Sequence, residues 1–241
     1  MAIIWQGNYL FFSSDPFLHF AAMLILLFVA GFSYKAYKFT KQGRYYSLSL
    51  AFALIALGFL VQGIVDTYIA YHGANTAQQI QQVLPIVSLG TFIFRLLTLL
   101  GFTLIMLITL KVTDRKIITF IVITLLLATI FSSNHRSLFY SLYIIILSFT
   151  TLQLYQNYKM QKTRLALATF VLFSILLLSQ ICFFLIVIDQ PLFIQSSQMV
   201  TMSEHVKLGM PVSTLLYYFG EGLQILSYLL LFYIMIRISR K

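Results

Sequence analysis

Acidic residues are scarce in this chain. Six Asp and Glu stand against sixteen Lys and Arg in 241 residues, and only 9% of positions are charged. A soluble domain carries roughly 25% charged residues, so a water-exposed globular surface is not expected here. Cysteine occurs once, as Cys182 inside an apolar run, which excludes an intrachain disulfide and argues against a thiolate metal cluster. Four prolines and eleven glycines are too few for a disordered or collagen-like chain. The amino-terminal stretch lacks a basic region and a small-residue cleavage site, so the first apolar helix is expected to persist in the mature protein. Catalytic signatures are missing as well. The sequence has no H-E-x-x-H, G-x-S-x-G, P-loop or Gly-rich dinucleotide motif, and no two aspartates at matching depth in apolar runs.

What is present is apolar. Hydrophobic residues make up 60% of the chain, with 23 Phe and 15 Tyr. The apolar runs repeatedly reach the roughly 20 residues that a helix needs to cross a bilayer. They predict an all-α, polytopic membrane protein of seven transmembrane helices in a single domain, at 16–36, 45–71, 83–110, 116–132, 137–157, 164–188 and 210–237. The fourth and fifth are separated only by "SSNHRS", and a re-entrant or bent hairpin competes there. Pro16, Pro85 and Pro211 are expected in first helical turns, where the missing amide is harmless. The 189–209 connection is either a short amphipathic cap on the outer surface or an irregular loop.

Charge gives the orientation. Lys35, Lys38, Lys41 and Arg44, then Lys111, Arg115 and Lys116, then Lys159, Lys162 and Arg164, and finally Arg237, Arg240 and Lys241 fall on one side. Arg136 and Lys207 fall on the other, and Arg95 lies within a span. The positive-inside effect puts the first group in the cytoplasm and the amino terminus outside, in the cell membrane. The same clustering between apolar runs explains the net charge of +10 without a nucleic-acid partner.

An internal echo accompanies this plan. "YKAYKFTKQGR" and "YQNYKMQKTR" match at Tyr34, Tyr37 and Lys38 against Tyr155, Tyr158 and Lys159. Each is followed by an apolar helix with one internal glutamine, Gln62 or Gln180, and then by a helix opening on "LPIV" or "MPVS". An ionisable residue follows each proline by ten positions, Arg95 and Glu221. Two readings are open: a 3+1+3 parallel repeat covering 16–110 and 137–237, or interfacial anchor chemistry that recurs by coincidence.

Arg95 and Glu221 are the mid-membrane candidates, because a lone charge at that depth is costly. Adjacent helices would allow them to pair, as a gate or ligand site or as a purely structural contact. Gln62 and Asp66 are four apart and share a helical face. With Glu221, Gln224, Tyr68, Tyr217 and Tyr218 they would line a polar cavity open to the outside; Asp66 alone would be an interfacial carboxylate. His19, His72, His135 and His205 all map to the outer side with Asp15, Asp66, Asp189 and Glu204. They offer a pH-sensing or cation-binding chemistry, but no metal site is expected, since none has ligand spacing.

The topology is similar to that of microbial rhodopsins. Retinal is not expected, because the last helix has no lysine to carry it. The lack of a deep histidine likewise argues against a bis-histidine haem, and no cofactor is expected. The segment "YKAYKFTKQGRYYSLSLAFALIALGFLVQGI" resembles a pattern in uncharacterised prokaryotic seven-helix membrane proteins and in the seven-helix membrane input regions of histidine kinases. That resemblance implies a sensory role and carries no catalytic residue. The chain ends shortly after its last helix, so a signal is expected to pass to a separate protein. Sugar-transporting 3+1+3 proteins are a more distant likeness, since their Pro–Gln pair is absent at Pro85 and Pro211. Three functions follow. The first is a non-enzymatic sensor or accessory subunit, with membrane lipids and a membrane or cytoplasmic protein as partners. The second is a small-solute or ion transporter using Arg95 and Glu221, and the third is a subunit of a membrane enzyme or redox complex.

Overall fold

The computed structural model describes residues 9–72, 77–112, 114–131, 136–197 and 212–239. Among them are seven helices: α1 (Tyr9–Thr40), α2 (Gly43–His72), α3 (Ala77–Thr109), α4 (Arg115–Phe131), α5 (Arg136–Gln161), α6 (Arg164–Ser197) and α7 (Val212–Ser239). All but α4 contain a stretch long and apolar enough to cross a membrane, and the chain is read as a multi-pass membrane protein on that basis. At 17 residues, α4 rises about 26 Å, at the short end of what spans a hydrocarbon core of about 30 Å.

Helix stops follow local chemistry. Lys41, Lys111 and Lys162 each take a left-handed conformation, with φ of 54°, 56° and 50°. A single residue of this kind reverses the chain and returns an amide to the last helical turn. Lys41 N donates to Tyr37 O and Lys162 N to Tyr158 O, both at 2.8 Å. The next helices are capped by side chains: Asp114 Oδ1 accepts from Lys116 N at 2.8 Å and Thr163 Oγ1 from Ala166 N at 3.2 Å.

The structure corrects the proline reading. Pro16 and Pro85 lie inside α1 and α3, which begin at Tyr9 and Ala77. Each proline marks the start of the apolar span rather than of the helix. The helix continues outward past the apolar run, where water can take the carbonyl that proline leaves unbonded. Pro211 lies outside the described residues. Helix α6 likewise runs on to Ser197, so the first part of the expected 189–209 connection is helical.

The chain divides into two compact units, residues 1–130 with 235–241 and residues 131–234. In the first, α1, α2 and α3 pack through Leu26, Val29, Ala51, Ile55, Phe59 and Leu99. Small residues let the backbones close: a Cβ on Gly101 would stand 2.8 Å from Ala51 O and overlap Ile55, and one on Gly90 would overlap Val65. This close approach is the common device of helix pairs in lipid, where dispersion replaces hydrophobic drive. In the second unit α5 and α6 bury Phe139, Tyr143, Leu147, Leu172, Phe173 and Leu176.

Candidate functional site

The α1–α2 hairpin sets the site. His19 lies 22 residues before Lys41 and Asp66 lies 23 after Gly43, so an antiparallel pair brings them level, roughly 34 Å from the turn. There His19 Nδ1 donates to Asp66 Oδ2 at 2.7 Å, and Gln62 Nε2 donates to Asp66 Oδ1 at 2.9 Å. Both carboxylate oxygens are therefore engaged. Asp66 is only 8% exposed, and burial of this kind makes each of its two hydrogen bonds matter.

Aromatic rings complete the setting. Phe59 of α2 and Phe94 of α3 face the imidazole at centroid distances of 5.7 and 6.4 Å, and meet each other edge-on at 5.5 Å. Gly63 lets the Phe20 ring approach α2, with 3.2 Å to a Cβ built there. Arg95, next in the chain to Phe94, is 8% exposed. The carbonyl oxygen of Gln62, Oε1, is buried and accepts no hydrogen bond among the described residues.

The expected same-face pair of Gln62 and Asp66 is thus a direct hydrogen bond. Sequence reasoning named His19 only as one of four outer histidines and did not set it beside Asp66. The signal was available: with the turn fixed between Lys41 and Gly43, 22 residues back to position 19 and 23 on to position 66 put the two side by side.

The other candidates belong to the second unit. Gln224 Nε2 donates to Tyr228 OH at 3.1 Å, one turn along α7. Tyr217 meets Phe183 edge-on at 5.9 Å and Tyr218 at 6.1 Å. Gln180 is 2% exposed, and its neighbour Ser179 donates through Oγ to Gly220 O of α7 at 2.8 Å. Glu221 follows Gly220 and is half-buried. The expected cavity would have drawn Gln62, Asp66 and Tyr68 from one unit and Glu221, Gln224, Tyr217 and Tyr218 from the other. Within the first unit the polar convergence is that of Asp66, Gln62 and His19.

Chemically, this convergence is a carboxylate held between an imidazole and an amide. Asp66 Oδ2 accepts from Nδ1–H in either form of His19: it fixes the Nδ1–H tautomer of the neutral ring and serves as counter-ion to the imidazolium. Among the described residues no three His, Cys, Asp or Glu side chains converge in a metal-binding arrangement; His72, His135, His205 and Glu204 fall outside the residues whose side chains are described. Comparison of the chain with protein-family models, curated proteins and solved structures finds no match.

Proposed function

We propose that the chain is a non-enzymatic sensor or accessory subunit of the cell membrane that reads the outside through His19, Asp66 and Gln62 and acts through a membrane or cytoplasmic partner. The reading takes seven spans with the amino terminus outside, supported by the thirteen basic residues on one side against two on the other. The observation that carries it is the His19–Asp66 contact near the outer end of α1 and α2. An imidazole is the one side chain that in water changes charge between about pH 5 and 8. Protonation here alters the charge of a couple that ties α1 to α2 and abuts α3. The carboxylate on His19 is Asp66 from α2; in the chain, Tyr68 lies two residues on from Asp66, and Arg95 of α3 follows Phe94, whose ring faces the imidazole. A unit change of charge in this setting shifts the packing of three helices, and those helices lead to the basic connections where a partner would dock.

The test is gentle extraction from the native membrane at pH 5.5 and at 7.5, followed by mass spectrometry, on the wild type and on His19→Gln. Glutamine keeps a donor for Asp66 and does not titrate. A stoichiometric partner whose recovery changes with pH in the wild type, and not in His19→Gln, is expected. A partner-free protein that carries solute into liposomes would sink the reading. Small-solute transport is the second reading, and the near-complete burial of Arg95 at mid-span favours it.

A further inference from the structure

On the surface of α1 lies a groove of about 440 Å³ lined by Leu24, Leu27, Phe28, Gly31, Phe32 and Lys35. Its floor is Gly31, where a built Cβ would meet nothing within 4 Å. Its walls are apolar, and Leu24, Leu27 and Phe28 are about half exposed. One end is cationic. From Leu24 to Lys35 the helix advances eleven residues, or roughly 16 Å, close to half of a hydrocarbon core of about 30 Å. The groove is therefore as long as one leaflet is deep and ends in an ammonium group at headgroup level.

The surroundings of Lys35 identify the occupant. Lys38 is held over the Tyr34 ring at 5.2 Å, and Tyr34, Tyr37 and Tyr46 form a chain of ring contacts at 6.1 and 5.5 Å. Tyrosine and lysine together mark the depth of a membrane interface. Among the described residues no carboxylate pairs with Lys35, and Asp114 is the one acidic residue in the connections on that side. An anionic headgroup is the counter-charge that the membrane itself supplies at that depth.

We infer that this groove binds one anionic phospholipid of the leaflet facing the α1–α2 connection, with an acyl chain over Gly31 and the headgroup phosphate on Lys35. The inference rests on the membrane reading of the chain and is independent of what His19 and Asp66 sense. It separates one seated lipid from the diffuse attraction of a basic surface, which every lysine on that side shares equally.

The experiment uses the full chain in bilayers of zwitterionic phospholipid doped with phosphatidylglycerol, with retained lipid counted by native mass spectrometry after mild extraction. The wild type retains one phosphatidylglycerol. Lys35→Gln lowers that retention about five-fold, the share of one basic residue at a charged surface. Gly31→Leu, whose Cβ meets nothing within 4 Å, projects its side chain into the groove and abolishes retention. Lys41→Gln, on the same side but off the groove, leaves it unchanged, as does His19→Gln. Equal losses in Lys35→Gln and Lys41→Gln would mean a non-specific basic face, and unchanged retention in Gly31→Leu would mean an empty groove. Either result overturns the inference. Because His19→Gln is read by pH-dependent partner recovery, failure of the lipid site and failure of the sensor reading are distinguishable.

Discussion

The α1–α2 and α5–α6 hairpins turn in the same way and diverge at their far ends. Lys41 and Lys162 share a left-handed φ and the same 2.8 Å return bond to a tyrosine carbonyl four residues back. Twenty-two residues before these lysines stand His19 and Tyr140; twenty-one after them stand Gln62 and Phe183. In the first hairpin these positions contribute to a polar cluster through Asp66. In the second they meet as rings, Tyr140 on Phe183 at 6.1 Å, with Phe139 and Tyr217 alongside. One turn geometry thus delivers two positions to the same level, and the side chains decide whether that level is an aromatic plug or a titratable couple. At that level the second hairpin packs ring on ring, while the first carries a buried carboxylate with an imidazole and an amide on it. That is the physical ground for looking for function in the first.

The largest test of the comparison concerns how tightly each unit is closed. Gly101→Ala forces a methyl against Ala51 O and Ile55, with backbone on one side. Overpacking of this kind costs about 3 kcal/mol. Gly220→Ala brings its methyl to 3.2 Å from the Phe183 ring and 3.4 Å from Cys182, contacts that a small ring movement relieves, and should cost less than about 1 kcal/mol. Reversible unfolding in dodecyl sulfate measures both. Equal costs would mean that the first unit is no more closely packed than the second.

Next in size is the loss of the polar cluster. Asp66→Ala leaves His19 and Gln62 without the acceptor they share, for about 2 kcal/mol in the same unfolding assay. Loosening the ring contact in the second hairpin by Phe183→Leu, at the position that Gln62 holds in the first, removes ring contacts with Tyr140 and Tyr217 and should cost about 1 kcal/mol. A double-mutant cycle between His19→Ala and Asp66→Ala should return a coupling of about 1 kcal/mol. An additive result would show that the couple is not an energetic unit, and would take the sensor reading with it.

Sequence reasoning recovered these elements unevenly, for physical reasons. Apolar runs locate spans because lipid demands them, so the six long helices were legible. Helix ends were less so: Pro16 and Pro85 mark where hydrocarbon begins, and α1 and α3 continue beyond it. The shared face of Gln62 and Asp66 followed from helical periodicity alone, whereas setting His19 beside them needed the register of a hairpin whose turn residue had not been located. The echo of Gln62 in Gln180 shows the same gap. Counted from the turns, Gln180 is three residues short, and Phe183 holds the position that Gln62 holds. Matching letters in two helices is a weaker guide than equal distance from a fixed turn.

The smallest expected effect bears on that turn. A left-handed lysine pays for the contact of its Cβ with the following carbonyl, roughly 1 kcal/mol, which glycine escapes. Glycine also gives up more freedom on folding, so the net gain from Lys41→Gly or Lys162→Gly is about 0.5 kcal/mol. The sign should be the same in both hairpins, because φ and the return bond are the same. The lost charges do not separate the two variants, since both lysines are exposed and among the described residues neither is in a salt bridge. The midpoint of unfolding in dodecyl sulfate should rise alike in the two. A rise in one and a fall in the other would mean that the turns agree in backbone angle but not in strain, and the positions counted from them would no longer be comparable. Equal rises would leave the contrast between the His19–Asp66 couple and the Tyr140–Phe183 plug as a difference of side chains on a shared hairpin.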